Sequence, residues 1–218
     1  MDVEITPELL VKMYHKQYEL QLYMKEKRGL TLPPSAESHS ITHEHVLAAI
    51  YFSSCVNIEW MELYESYQAY LKAAELYALD ADDLRAEALE ELVDVWHFVL
   101  SVFIFLGLKE HHVSKLSHFK IGGVNSLAEY AGDTALAISS VLAKAPYKTW
   151  KDQDNIKELD KDYETLLFTA FSKCYNNILD FALFALDSSY SEFVDAYLRK
   201  NALNFRRQED ESLGYIRS

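Results

Sequence analysis

Glu90-Glu91-Leu92-Val93-Asp94-Val95-Trp96-His97-Phe98 is the stretch on which the fold turns. Glu91 and Asp94 stand three residues apart, a spacing that puts both side chains on one face of a helix, one turn apart. Glu87, Glu90, Glu91, Asp94, His97 and Ser101 form a polar stripe among Leu89, Leu92, Val93, Trp96, Val99, Leu100 and Phe103. A stripe that runs into so apolar a segment does not face bulk water. Buried carboxylates without partners are costly.

A second such line lies upstream, in Cys55-Val56-Asn57-Ile58-Glu59-Trp60-Met61-Glu62-Leu63. Cys55, Glu59, Glu62 and Ser66 line up between Ile58, Trp60, Met61 and Leu63. Other acidic pairs at the same spacing, Glu62/Glu65, Asp80/Asp83, Glu87/Glu90 and Glu192/Asp195, lack that setting and read as solvated helix faces. A short connection at 78–81 predicts that the second and third helices pack antiparallel, stripe to stripe. Four carboxylates meeting there would repel unless a cation held them. An oxygen-only ligand set of Glu59, Glu62, Glu91 and Asp94 selects a hard divalent cation, Mg²⁺ or Mn²⁺.

Composition agrees with a helical protein. The chain has 218 residues, half of them hydrophobic, with only 6 Gly and 4 Pro to interrupt helices. Caps and breakers predict helices from Thr6-Pro7 to about Lys27, Thr42 to about Tyr77, Asp80 to Gly107, Asn125 to about Ala143, Asp160 to about Leu186, and Ser191 to about Gln208. A break is expected near 67–72 in the long second helix. The expected fold is all-α: one domain over 1–218, a bundle of about six main helices around a four-helix metal-binding core.

Net charge is −13, from 21 Lys and Arg against 34 Asp and Glu, and no basic run suits polymeric nucleic acid. The most apolar stretch, 95–108, is too short to cross a bilayer, which takes about 20 residues. The first residues show no basic-then-apolar targeting pattern. Cys55 and Cys174 fit no metal spacing and read as free buried thiols of a cytoplasmic protein. Positive charge concentrates near the C-terminus, where Lys200, Asn204 and Arg207 share a helix face. Lys and Arg there would complement the helix dipole. Beside a carboxylate cage they would equally suit phosphate oxygens.

Taken in order, several segments resemble the all-α dimeric dUTPase family within the MazG-like nucleotide pyrophosphatases. They are Met13-Tyr14-His15-Lys16-Gln17-Tyr18-Glu19-Leu20-Gln21, Glu59-x-x-Glu62, Glu90 through Phe98, and Tyr197-x-x-Lys200-Asn201-x-x-Asn204-x-x-Arg207-Gln208 followed by Gly214-Tyr215. The resemblance implies Mg²⁺-dependent hydrolysis of dUTP, and of dUDP as a further substrate, to dUMP, with two Mg²⁺ ions on Glu59, Glu62, Glu91 and Asp94. Glu62, with Glu59, would serve the attacking water. Lys200, Asn204 and Arg207 would hold the phosphates; Gln17, Gln21, His97 and Phe98 would lie at the nucleoside. It also implies a homodimer.

Two positions depart from the family pattern. Gln21 stands where Asn is usual, and Ala74, two residues after Lys72, stands where many members carry Trp. They keep open a MazG-like pyrophosphatase of different or broader base specificity. A non-catalytic helical protein that binds nucleotide or a regulator is the third reading. Trp60 and Trp96 read as core packing, and His97, taken alone, reads first as a core histidine. Residues 109–190 match no family segment.

Overall fold

The computed structural model describes residues 5–29, 40–119, 126–145, 157–158 and 161–209. Seven α-helices lie among them: α1 (Pro7–Arg28), α2 (His43–Glu75), α3 (Ala81–Phe105), α4 (Glu110–Val113), α5 (Leu127–Lys144), α6 (Lys161–Asp180) and α7 (Tyr190–Glu209). Six are the expected main helices, and α4 is a single added turn. A two-residue antiparallel pairing of β1 (Ser40–Ile41) with β2 (Lys157–Glu158) ties two connections together. Gly214-Tyr215 lie outside the described residues.

The local stops and starts act largely as the sequence predicts. The Thr6 hydroxyl accepts from the Leu9 amide, and Pro7 opens α1. Thr42 caps α2, with His45 closing the reciprocal bond. Gly107 ends α3 at φ 97, letting the Leu108 amide reach back to the Phe103 carbonyl. Asp80 occupies the N-cap of α3, but its side chain makes no capping bond.

Three expectations change. α2 does not break near 67–72 but runs unbroken for 33 residues. It has no Pro or Gly to interrupt it and packs along α3. It stops when Tyr77 takes a left-handed conformation at φ 51 and the Ala78 amide turns back to the Ala73 carbonyl. The cap of α7 is Ser189, not Ser191. The Glu192 amide donates to Ser189 Oγ at 3.1 Å, and the Ser189 amide donates to Glu192 Oε2 at 2.7 Å. Arg85, 2.9 Å from Glu192 Oε1, holds the carboxylate there. The helix expected to reach Leu186 is α-helical only to Asp180 and continues as a π-helical turn, Phe181–Ala185.

α3 sits at the centre and packs against α1, α2, α6 and α7. This explains its near-complete burial from Leu92 onward, with Asp94 and Phe98 the less buried positions at a helical step of four. Trp96 stacks on Phe171 at 5.6 Å, and Trp60 meets Phe181 edge-on at 6.2 Å, so both tryptophans serve the core. The connection after α4 is tied to the bundle by His118, which bonds Asp180 at 2.9 Å and the Tyr190 hydroxyl at 2.8 Å. Cys174 is buried, whereas Cys55 is only half-buried.

Candidate active site

Antiparallel packing of α2 on α3 brings the two acidic stripes together. Glu59, Glu62 and Glu91 each offer a carboxylate oxygen, and these oxygens lie within 4.8 Å of one another. Glu59 and Glu91 are half-buried and Glu62 is exposed, so the cluster opens to solvent along one side. The carboxylates come from only two helices; α7 closes the site with a cation.

Asp94, beside the trio, is engaged elsewhere: its carboxylate is ion-paired with the Lys200 ammonium of α7. Both side chains are 16 % exposed, so the pair is largely withdrawn from water. Burial pushes the Asp94 carboxyl up, while Lys200 and Arg207 pull it down. Burial would lower Lys200, but Asp94 and Glu91 together leave it raised.

Glu59 and Glu91 carry the electrostatic cost of the arrangement. Glu59 is pushed up to about 8 by burial and by the charges of Asp94, Glu62 and Glu91. Glu91 rises to about 7 by burial and Asp94, against the pull of Lys200. Without a cation, these groups hold protons near neutrality to relieve repulsion. Three carboxylate oxygens with one open side make a donor set that fits a hard divalent cation.

Further along the same stripe of α3, the polar residues of α1 meet His97 and Ser101. Gln17 and Gln21 are 3 % and 1 % exposed. Gln17 Oε1 lies 2.6 Å from His97 Nδ1. Both amide nitrogens donate to Ser101 Oγ, from Gln17 at 2.9 Å and from Gln21 at 2.7 Å. The His97 ring stacks on Tyr197 of α7 at 4.3 Å. Burial, then the charge of Lys200, lowers it to about 3 against an opposing pull from the Tyr197 backbone, so it is neutral. Gln21 Oε1 and His97 Nε2 are buried and have no hydrogen-bond partner among the described residues. Phe98 is half-buried and packs against Phe52 at 6.0 Å. Asn204 and Arg207 are half-buried on α7, and Arg207 acts on Asp94.

Sequence reasoning left two participants without a role. Ser101 lies in the polar stripe of α3 and anchors both amides. Tyr197 opens the C-terminal motif, stacks on His97, and donates through its hydroxyl to the Met13 carbonyl at 2.8 Å. Their signal was position, one turn from a residue already singled out. Ala74 is half-buried near the end of α2.

No curated protein and no solved structure matches the chain. A family model described as dUTPase matches residues 9–212, nearly the whole chain and every part of the site just described. The chain therefore belongs to the all-α dUTPase family, nucleotide pyrophosphohydrolases that hydrolyse dUTP to dUMP.

Proposed function

We propose that this protein hydrolyses dUTP, and dUDP as a second substrate, at the Glu59/Glu62/Glu91/Asp94 cluster with two Mg²⁺ ions. The supporting observation is the convergence of Glu59, Glu62 and Glu91 within 4.8 Å beside the cations Lys200 and Arg207. A carboxylate cage beside fixed positive charge suits a phosphate chain bridged by hard cations. When bound, divalent cations supply Lewis-acid polarisation of the phosphate and acidify the attacking water. Mn²⁺ has the same ligand preference and would substitute.

The residues divide the work. Glu62, the exposed member of the trio, accepts a proton from water attacking the α-phosphorus, and Glu59 orients it. The bond from that phosphorus to the bridging oxygen breaks, and pyrophosphate leaves. Lys200 and Arg207 neutralise the phosphates and Asn204 donates to them, which requires Lys200 to share or surrender its hold on Asp94. Gln17, Gln21, His97 and Phe98 line the nucleoside end. The deciding experiment measures turnover of dUTP, dUDP, dCTP and dTTP with and without Mg²⁺. No hydrolysis of any of them would end the proposal. Comparable rates for all triphosphates would favour the second reading, a broader pyrophosphatase, which Ala74 and Gln21 support.

We further propose a homodimer of single-domain chains in the cytoplasm, formed through α2. Leu47, Ile50, Tyr51, Ile58 and Met61 are exposed on the side of α2 away from the core. The stripe is symmetric about Ser54, with Ile50 and Ile58 four residues to either side and Leu47 and Met61 seven. An antiparallel two-fold crossing at Ser54 therefore sets Ile50 against Ile58 and Leu47 against Met61 of a second copy. No charged residue lies between Glu44 and Glu59, so two chains of like charge can meet there with little repulsion. A single-chain mass by light scattering at about 50 µM would reject this assignment, whereas Ile58→Glu should convert a dimer to monomers.

A further inference from the structure

The buried hydroxyl of Ser101 decides how the two amides of α1 are oriented. A serine hydroxyl has one hydrogen and two acceptor lone pairs. Ser101 Oγ donates its hydrogen to the His97 carbonyl at 2.9 Å. Its two lone pairs accept from Gln17 Nε2 at 2.9 Å and Gln21 Nε2 at 2.7 Å. The oxygen is then saturated, with no hydrogen left for an amide oxygen. Both amides must turn their nitrogens inward, an orientation set by the network.

Two consequences follow along the chain of bonds. Gln17 presents its oxygen to His97 Nδ1 at 2.6 Å, so that ring nitrogen is the one that donates to it. Gln21 has its oxygen turned away from Ser101. Gln21 Oε1 is buried with no hydrogen-bond partner among the described residues. A buried acceptor left unpaired is costly and rare. An N–H from outside the network would relieve it.

We infer that Ser101 is a specificity-determining positioning residue: by holding both amides nitrogen-inward, it turns the free oxygen of Gln21 to the base end of the site, and so selects a pyrimidine that offers a ring N–H. This rests on the proposed placement of the nucleoside beside Gln17, Gln21 and His97. Uracil offers its imide N–H. Cytosine has a lone pair at the same ring position, which would face an acceptor. Thymine carries the same imide, so Ser101 does not act on the choice between uracil and thymine.

The test is kinetic. Wild type should turn over dUTP at least about 100-fold better, in kcat/KM, than dCTP or the N3-methyl analogue of dUTP, because a site built around a hydrogen bond rejects a substrate lacking it. Ser101→Ala frees the amides to flip and should lower the dUTP:dCTP ratio about 10-fold or more, leaving the dUTP:dTTP ratio within about 3-fold. Ser101→Thr keeps the hydroxyl and should preserve both ratios. Equal turnover of dUTP and its N3-methyl analogue by wild type overturns the inference, as does an unchanged dUTP:dCTP ratio in folded Ser101→Ala. Should Ser101→Ala not fold, the wild-type comparison decides alone. Absence of any nucleotide turnover would sink the proposed function and this inference with it; turnover without discrimination sinks only the inference.

Discussion

Lys200 of α7 is ion-paired with Asp94 of α3, so a cation from one helix occupies one of the carboxylates expected to bind metal. The trio Glu59, Glu62 and Glu91 is left grouped without it. The pair makes α7 a neighbour of the site rather than a remote C-terminal helix. It also places the positive charge intended for phosphate on a carboxylate while no phosphate competes.

Lys200→Met is expected to act in two directions. Loss of its charge should lower kcat/KM for dUTP by about 10²-fold. Release of Asp94 should tighten Mn²⁺ binding by about 3- to 10-fold, since a neighbouring cation no longer competes. Titration calorimetry with Mn²⁺ and steady-state kinetics read the two effects separately. Unchanged kinetics would remove Lys200 from substrate binding.

Glu59→Gln should separate stability from activity. It removes a half-buried carboxylate whose carboxyl the surrounding acids push up to about 8. The cation-free protein should gain on the order of 1 kcal/mol, with turnover falling by at least about 10³-fold. Glu62 is exposed, so Glu62→Ala should match the loss of turnover with stability within about 0.5 kcal/mol of wild type. Denaturant melts beside initial rates check both.

The raised carboxyls also set a pH dependence. Glu59 and Glu91 titrate near 8 and near 7 in the folded chain, against an ordinary value of 4.5. The folded state therefore binds more protons between these limits, and stability falls as pH rises through that window. Without divalent cations, Tm should drop on the order of 5 °C from pH 5 to pH 8.5. With Mg²⁺ the slope should flatten or reverse, because deprotonated carboxylates bind the cation better. Identical melting profiles with and without Mg²⁺ would argue against a metal site.

Asp180→Ala tests the bundle away from the site. Asp180 is buried and hydrogen-bonded to His118, which also holds Tyr190. Removing the carboxylate leaves His118 without one of its two partners and should cost about 2 kcal/mol. The dUTP KM should not change, because neither residue borders the carboxylate cluster. Thermal melts and KM measured on the same preparation distinguish a structural role from a catalytic one.

Much of the fold was legible locally. Thr6, Thr42 and Gly107 mark helix ends by bonds within a few residues, and such bonds are written in sequence. The i, i+3 spacing of Glu59/Glu62 and Glu91/Asp94 and the short turn between their helices sufficed to bring the stripes together. The unbroken α2, the Ser189 cap and the π-helical turn were not legible. Each depends on a distant partner: α3 along α2, Arg85 holding Glu192, and the packing around Phe181.

Sequence by itself determined which side chains share a helix face, because helical period is a local property. It thereby gave the all-α class, the carboxylate pairs and the Lys200/Asn204/Arg207 stripe. Only the tertiary structure decided which faces meet and which atoms saturate one another. Asp94 belongs to Lys200 because α7 packs on α3, and Gln17 and Gln21 present acceptors because α1 lays both amides on the single hydroxyl of Ser101. Contacts of that kind depend on how helices cross, and no periodicity within one helix encodes the crossing.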